Sequence, residues 1–324
     1  MTTMESATWQ TFTRLWSDID EKDEFYNRKP LLAHYTSISN VEKILISNEL
    51  WFTNPLFMND REEVGFGIEE GSRAVRTSVE IENACGSRER HAAFLQAFEQ
   101  CYWGFARDHA LDTFVFCFSQ HDRDDNDGLL SMWRGYGGSG SGVAVVFDAG
   151  NVNLLDASSM ILARVHYGTA EQRSAWLTSK ASEFARILSG YVVADDQLQM
   201  AAAALFERIK LFALFSKHTG FREEQEWRVV YMPNRDEGAL LKSHAGYSLG
   251  ARGIEPRLRF PLSQNLEGSP VDLSLERIVD RIILGPTSST PLAVSGFKKL
   301  LEASQHTQLK ERVRASGIPF RDRA

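Results

Sequence analysis

Cysteine is scarce in this 324-residue chain: Cys85, Cys101 and Cys117 are the three present, odd in number and without a C-x-x-C spacing. Neither a disulfide framework nor a cysteine-based zinc site is expected, and a reducing cytosol is the simplest setting. Cationic excess is missing as well. The 36 Lys+Arg are outweighed by 43 Asp+Glu, a formal net charge of −7. A whole-chain basic surface for duplex nucleic acid or anionic lipid is thereby excluded, while a local patch is not. Long apolar runs are lacking too, since the best candidate, Gln199–Phe215, is broken by Glu207, Arg208 and Lys210. The opening Met-Thr-Thr-Met-Glu-Ser has no basic segment followed by an apolar one. No signal peptide is expected, and the chain reads as cytoplasmic, with no membrane partner.

Familiar catalytic signatures are also missing. Asp122–Gly128 hints at a calcium loop, but loop position six is Asp127 and position twelve is Trp133, so the glycine turn and the bidentate glutamate are absent. Gly137–Gly142 lacks the Lys-Ser/Thr of a phosphate-binding loop and leads into a strand, not a helix. Neither G-x-S-x-G nor H-E-x-x-H occurs. A solvated acidic loop and a flexible turn are the plain readings of the first two.

What is present is a globular composition, 43% hydrophobic and 24% charged, carrying both helical and strand periodicities. Trp9, Phe12, Trp16 and Ile19 repeat at helical spacing. Leu31–Thr36 reads as a strand. Ser39 with Glu42 reads as a capping box opening a helix with Val41, Ile44 and Leu45 inward and Asn48 at its stop. Leu50–Thr53 is a second strand and Asn54-Pro55 a turn. Residues 62–110 are mostly helical with a break near Gly86-Ser87. Thr113–Ser119 is a strand with Phe114, Phe116 and Phe118 on one face. Leu129–Tyr136 makes one or two helical turns, and Val143–Asp148 and Met160–Tyr167 are strands. Helices follow at about 170–189 and 195–216, the second with a buried stripe of Leu198, Ala202, Leu205, Ile209 and Phe212. Glu226–Tyr231 and Ile278–Leu284 are strands, Leu292–Ala303 a helix, and Arg312–Phe320 a last strand. With no internal repeat and no long linker, the expected architecture is a single α+β domain with helical insertions.

Three segments put polar groups where a plain core needs none. His34 lies inside an apolar strand; taken alone it reads as a buried histidine satisfied by one hydrogen bond. Trp133 and Tyr136 are three apart and share a helical face, as core aromatics or as a flat aromatic wall. The glycines beside them imply close approach by backbone or by ligand. In Gly220–Tyr231, an extended chain sets Trp227, Val229 and Tyr231 toward the core and Glu224, Glu226 and Arg228 on the opposite face. That face is either an exposed ion-pair ladder or a catalytic cleft.

Six blocks occur in one order: His34-Tyr35-Thr36-Ser37; Asn54-Pro55 with Asn59-Asp60 and Glu63; Phe116-Cys117-Phe118-Ser119; Ser131–Gly137; Gly220–Arg228; and Ile283–Pro286. The order resembles the bacterial domain-of-unknown-function family 2971 over roughly residues 31–286, with Arg61 where that family usually has proline. That family in turn resembles the ADP-ribosyltransferase fold. The resemblance implies a split antiparallel β-sheet with NAD as co-substrate in a cleft between its halves. It also implies a His on the first core strand, a Tyr or Ser in the middle motif and a Glu on a later strand. Those roles fall on His34, on Tyr136 or Ser119, and on Glu226, with Glu224 and Glu226 as the E-x-E pair. Glu226 and Glu224 are then the catalytic residues. His34, Tyr35, Thr36, Ser119, Trp133, Arg134, Tyr136 and Arg222 are the cofactor-binding ones, and no metal is called for. The implied layout is an N-terminal helical extension (1–30), a catalytic domain (31–286) with insertions at about 62–110 and 170–216, and a C-terminal helix and strand (287–324) packed on it. The implied partners are a macromolecular acceptor, protein or nucleic acid, and an antitoxin or inhibitor protein, in the setting of a toxin or phage-defence effector. The runner-up readings are an NAD glycohydrolase and a non-catalytic module of the same fold.

Overall fold

A computed structural model describes residues 9–18, 29–58, 62–151, 159–236, 238–250, 253–263 and 272–320. The strands are β1 (Leu31–Thr36), β2 (Glu49–Thr53), β3 (Phe114–His121), β4 (Val143–Asp148), β5 (Met160–Arg164), β6 (His166–Gly168), β7 (Ser216–His218), β8 (Glu226–Tyr231), β9 (Ala245–Gly250), β10 (Gly253–Pro261), β11 (Val279–Leu284) and β12 (Val313–Ala315). The helices are α1 (Ile38–Ser47), α2 (Glu62–Arg76), α3 (Val79–Cys85), α4 (Arg88–Gly104), α5 (Leu130–Gly135), α6 (Ala170–Gly190), α7 (Leu198–Leu214), α8 (Leu275–Ile278) and α9 (Pro291–Ala303). Two compact units result. One comprises Met1–Asp20, Asn54–Thr113 and Val165–Phe221; the other comprises Glu21–Thr53, Phe114–Arg164 and Arg222–Ala324.

The second unit is an open sheet with helices, an α+β architecture. Its strands run β12-β11-β4-β1-β3-β2-β10-β9, with β8 also on β3 and β5 on β8. Every ladder in it is antiparallel except β11–β12. The sheet forks at β3. One side of β3 pairs with β8 from Phe114 to Ser119. The other side meets β1 at one end, Ala33 opposite Ser119, and β2 at the other, Thr53 opposite Val115. β3 is therefore an interior strand, buried on both faces, with the three Phe sharing one of them as expected.

Strand alternation sorts the two faces. Leu32, Phe114, Phe116, Phe118, Val145, Phe147 and Ile282 pack with Val41, Ile44 and Leu45 of α1 and Phe297 and Leu301 of α9. The opposite face carries Leu31, Ala33, Tyr35, Ala144, Val146 and Ile283 against Met132 and Trp133 of α5. The expected inward residues of α1 are correct, but its cap is Ser37, not Ser39. The Ser37 hydroxyl accepts from the Asn40 N–H at 3.3 Å, and Ser39 Oγ is 2.9 Å from Ser37 Oγ. Asn48 ends the helix at φ 52°, the left-handed conformation a helix stop favours.

The first unit gathers α2, α3, α4, α6 and α7 with the short parallel pair β6–β7. Met160–Tyr167 is thus two strands in different sheets, because the chain leaves one unit and enters the other at Val165. In α7 the expected stripe is buried, but so is nearly the whole circumference, Arg208 and Lys210 included. These cations are tolerated because they are paired. Arg208 donates to the Leu15 carbonyl at 3.1 Å and to Asp18 at 2.9 Å, while its guanidinium lies 4.4 Å from the Trp176 ring. Burial pushes the Asp18 carboxyl up, but Arg208 and Lys180 outweigh it and hold it below its ordinary value. Phe12 and Leu15 are the wholly buried residues of the N-terminal turn; Ile19 lies outside the described residues. Asn54 is wholly buried and acts as a tie. Its amide donates to the Ala110 and Thr113 carbonyls at 2.7 and 3.0 Å and its oxygen accepts from Leu56 N–H at 3.0 Å. Asn59, Asp60 and Arg61 lie outside the described residues.

Candidate active site

Ser119 is the reference point. It lies opposite Ala33 of β1 on one side and Glu226 of β8 on the other, so Ser119, Glu226 and Arg228 share the face that also carries Tyr35. Glu226 and Arg228 are 4% and 1% exposed. Arg228 Nε donates to Glu226 Oε1 at 2.7 Å and Nη2 to Oε2 at 3.1 Å, a bidentate, charge-assisted pair. Of the two readings of that face, the exposed ladder gives way to a buried ion pair of Glu226 with Arg228.

Glu224 ends the short 3-10 turn Thr219–Glu224, outside the strand. Gln225 follows at φ 45°, a left-handed conformation rare for a side-chain-bearing residue. Its carbonyl still accepts from Gln120 N–H at 2.9 Å, but strict alternation is broken there. Two side chains hold Glu224 instead. Ser119 Oγ donates to its carbonyl at 2.6 Å, and Tyr136 Oη donates to its Oε1 at 2.9 Å. Both middle-motif alternatives, Ser119 and Tyr136, thus converge on Glu224.

The remaining sequence candidates fall in different places. Trp133 is 0% exposed, donates Nε1–H to the Asp127 carbonyl at 2.8 Å and meets Tyr35 edge-on at 4.8 Å. It is a core residue, as the first of its two sequence readings has it, while Tyr136 is 38% exposed. The Tyr35 hydroxyl accepts the Leu129 N–H at 2.8 Å at the start of α5. Burial pushes that phenol up to about 12, against the opposing pull of this hydrogen bond. Thr36 Oγ1 accepts from the Asn40 side chain at 3.0 Å. Arg134 and Arg222 are exposed, Arg134 lying 5.5 Å from the Phe320 ring.

His34 does not join Glu226. One residue from Ala33 along β1, it faces the other side of the sheet, with its ring 4.3 Å from that of Phe116. The β1–β3 ladder stops at Ala33, whereas β1–β4 continues to Thr36. His34 Nδ1–H spans the opening and donates to the Cys117 carbonyl at 3.0 Å. Burial pushes the His34 imidazole below its ordinary 6.5, this hydrogen bond opposing. His121, whose Nε2 lies 2.9 Å from the Asp125 carbonyl, is lowered first by burial too. For a depressed histidine the unfolded chain binds more protons in the window just below pH 6.5. The stability contribution is whole above that pH and is lost as pH falls through the folded values. Thermal midpoints are expected to fall on acidification below 6.5, and His34→Gln is expected to flatten that slope.

Sequence reasoning missed Gln225, because nothing in a glutamine announces a left-handed backbone. It also missed the structural duty of Tyr35, which depends on the Leu129 N–H arriving from a distant part of the chain.

The class so defined is an α+β chain with a forked, mostly antiparallel sheet and a carboxylate–arginine–tyrosine cluster on one face. Within it, residues 132–229 match the family described as protein of unknown function, DUF2971. The matched stretch runs from α5 into β8 and includes Trp133, Tyr136, Glu224, Glu226 and Arg228. No curated protein and no solved structure is found to match the chain.

Proposed function

We propose that this chain is an NAD-consuming ADP-ribosyltransferase working on the sheet face that carries Glu226. One observation supports the reading above the rest. Ser119 lies opposite Glu226, while Ser119 and Tyr136 both hold Glu224, so three distant segments meet at an E-x-E pair on a forked sheet. The groups available suit the co-substrate. Arg134 and Arg222, exposed, offer cationic forks for a diphosphate, and half-exposed Tyr136 offers a ring for nicotinamide.

In the proposed reaction the bond from ribose C1 to the nicotinamide nitrogen breaks and its electron pair leaves with nicotinamide. Positive charge develops on the ribosyl group, and the Glu226 carboxylate stabilises it. An acceptor nucleophile then bonds to C1 and gives its proton to Glu224. His34 takes no part, because it faces away, and Trp133 does no stacking. The acceptor is a macromolecule, protein or nucleic acid. A toxin or phage-defence role with a cognate inhibitor is proposed by analogy with related bacterial transferases alone.

The second reading is a non-catalytic module, favoured by the occupation of both Glu226 carboxylate oxygens by Arg228. Purified protein, NAD labelled on its adenylate and cell lysate separate the two, with Glu226→Gln as control. The expected result is label fixed to a macromolecule, with nicotinamide release reduced by about 10²-fold or more in the folded variant. Release without fixed label means water is the acceptor. No release and no NAD binding by titration would sink the catalytic reading.

A further inference from the structure

The apolar sheet face covered by α1 and α9 continues past those helices at the β9 edge. Leu258 of β10, wholly buried, pairs with Phe52 of β2. Further along β10 on the same face, Pro256 pairs with Tyr247 of β9 and Ile254 with Leu249. There the cover ends: Tyr247, Leu249 and Ile254 are 63%, 78% and 67% exposed. β9 closes the sheet order, and among the described residues no strand neighbours its outer edge. Its sequence, Ala-Gly-Tyr-Ser-Leu-Gly, holds neither charge nor proline. Edge strands ordinarily carry such residues to block pairing with another chain.

We propose that this edge binds a second copy of the chain, β9 pairing antiparallel with β9 about a two-fold axis at Ser248. In that register the strand complements itself. Tyr247 meets Leu249 of the partner subunit, apolar against apolar, and Gly246 meets Gly250 of the partner subunit. Within Ala245–Gly250 no like charges meet. The hairpin's Glu255 and Arg257 lie on the other face and are bound to each other at 2.5 Å. Antiparallel self-pairing is also the arrangement that closes, giving a dimer with no free β9 edge left to propagate.

Sedimentation equilibrium of the full chain across the micromolar range tests this. The expected species has twice the 36.6 kDa chain mass. Ser248→Lys sets two ammonium groups opposite each other on the axis and is expected to weaken association roughly tenfold or more. Ser248 also accepts from Arg257 Nε at 3.1 Å, so Tyr247→Lys, which leaves that contact intact, is the second disrupting variant. Adding Leu249→Glu to Tyr247→Lys sets opposite charges across both pairs and is expected to restore the dimer. Circular-dichroism melts show that each variant is folded. A monomer at every concentration overturns the proposal. So does a dimer indifferent to both lysine variants, since its interface then lies elsewhere.

Discussion

Arg228→Met is expected to cost about 3–5 kcal/mol of unfolding free energy, read from urea denaturation at neutral pH. The reason is the company Arg228 leaves behind. Glu226 is 4% exposed and both its oxygens accept from the Arg228 guanidinium. Removing the cation takes both of these bonds from a carboxylate that water barely reaches. The penalty belongs to the buried charge more than to the lost attraction. Replacing both partners by apolar groups of similar size, Glu226→Leu with Arg228→Met, is therefore expected to recover much of the loss. A double-mutant cycle returns the coupling. If Arg228→Met unfolds at the same denaturant concentration as the unmodified chain, the pair is not buried as described. The double variant bears on function too. It is predicted to be folded yet without NAD turnover, which separates the site's chemistry from its contribution to stability.

The strands were legible because their residues alternate: Phe114, Phe116 and Phe118 on β3 and Trp227 and Tyr231 on β8 mark their faces without knowledge of any neighbour. Local chemistry likewise placed Asn48 at the end of α1. What stayed hidden depends on pairing over long distances. That His34 and Glu226 face opposite ways follows from Ala33 and Glu226 both lying opposite Ser119, a register no local pattern records. The cap of α1 moved from Ser39 to Ser37 because both serines are good caps and only the packed helix chooses between them. Arg208 and Lys210 on α7 marked a break in an apolar run, yet both are buried. Their partners, Asp18 and Leu15 for Arg208 and Glu207 for Lys210, could not be read from the local pattern. Of the candidate site, the residue types and the three segments could be read beforehand. The convergence of Ser119 and Tyr136 on Glu224 could not, because it turns on one left-handed residue, Gln225.

The glycines near Tyr136 posed a choice between ligand and backbone as the close neighbour; for Gly142 it is backbone, while Gly137 meets the Trp133 ring and Gly140 that of Phe320. A Cβ on Gly285 would lie 2.3 Å from the Gly140 carbonyl oxygen, and one on Gly142 would lie 2.4 Å from that of Thr36. The Gly140 oxygen cannot easily retreat. Gly285 N–H donates to Gly142 O at 2.9 Å, and Thr287 N–H donates to Gly140 O at 3.0 Å. These bonds bind the Gly137–Gly142 loop to the end of β11. Gly285→Ala is accordingly expected to cost about 3 kcal/mol, the upper end for forcing atoms into a packed site. Gly135, at the end of α5, has nothing within 4 Å of its virtual Cβ, and Gly135→Ala is expected to gain up to about 1 kcal/mol from helix propensity. Opposite signs for the same chemical change, measured as thermal midpoints, test the account; a harmless Gly285→Ala would mean that the loop is not clamped by backbone. The clamp matters for the site because Tyr136 immediately precedes the loop. If the clamp positions Tyr136, a folded Gly285→Ala chain should lose NAD turnover beyond what its lower stability explains, since the Tyr136 hydroxyl would no longer be held on Glu224.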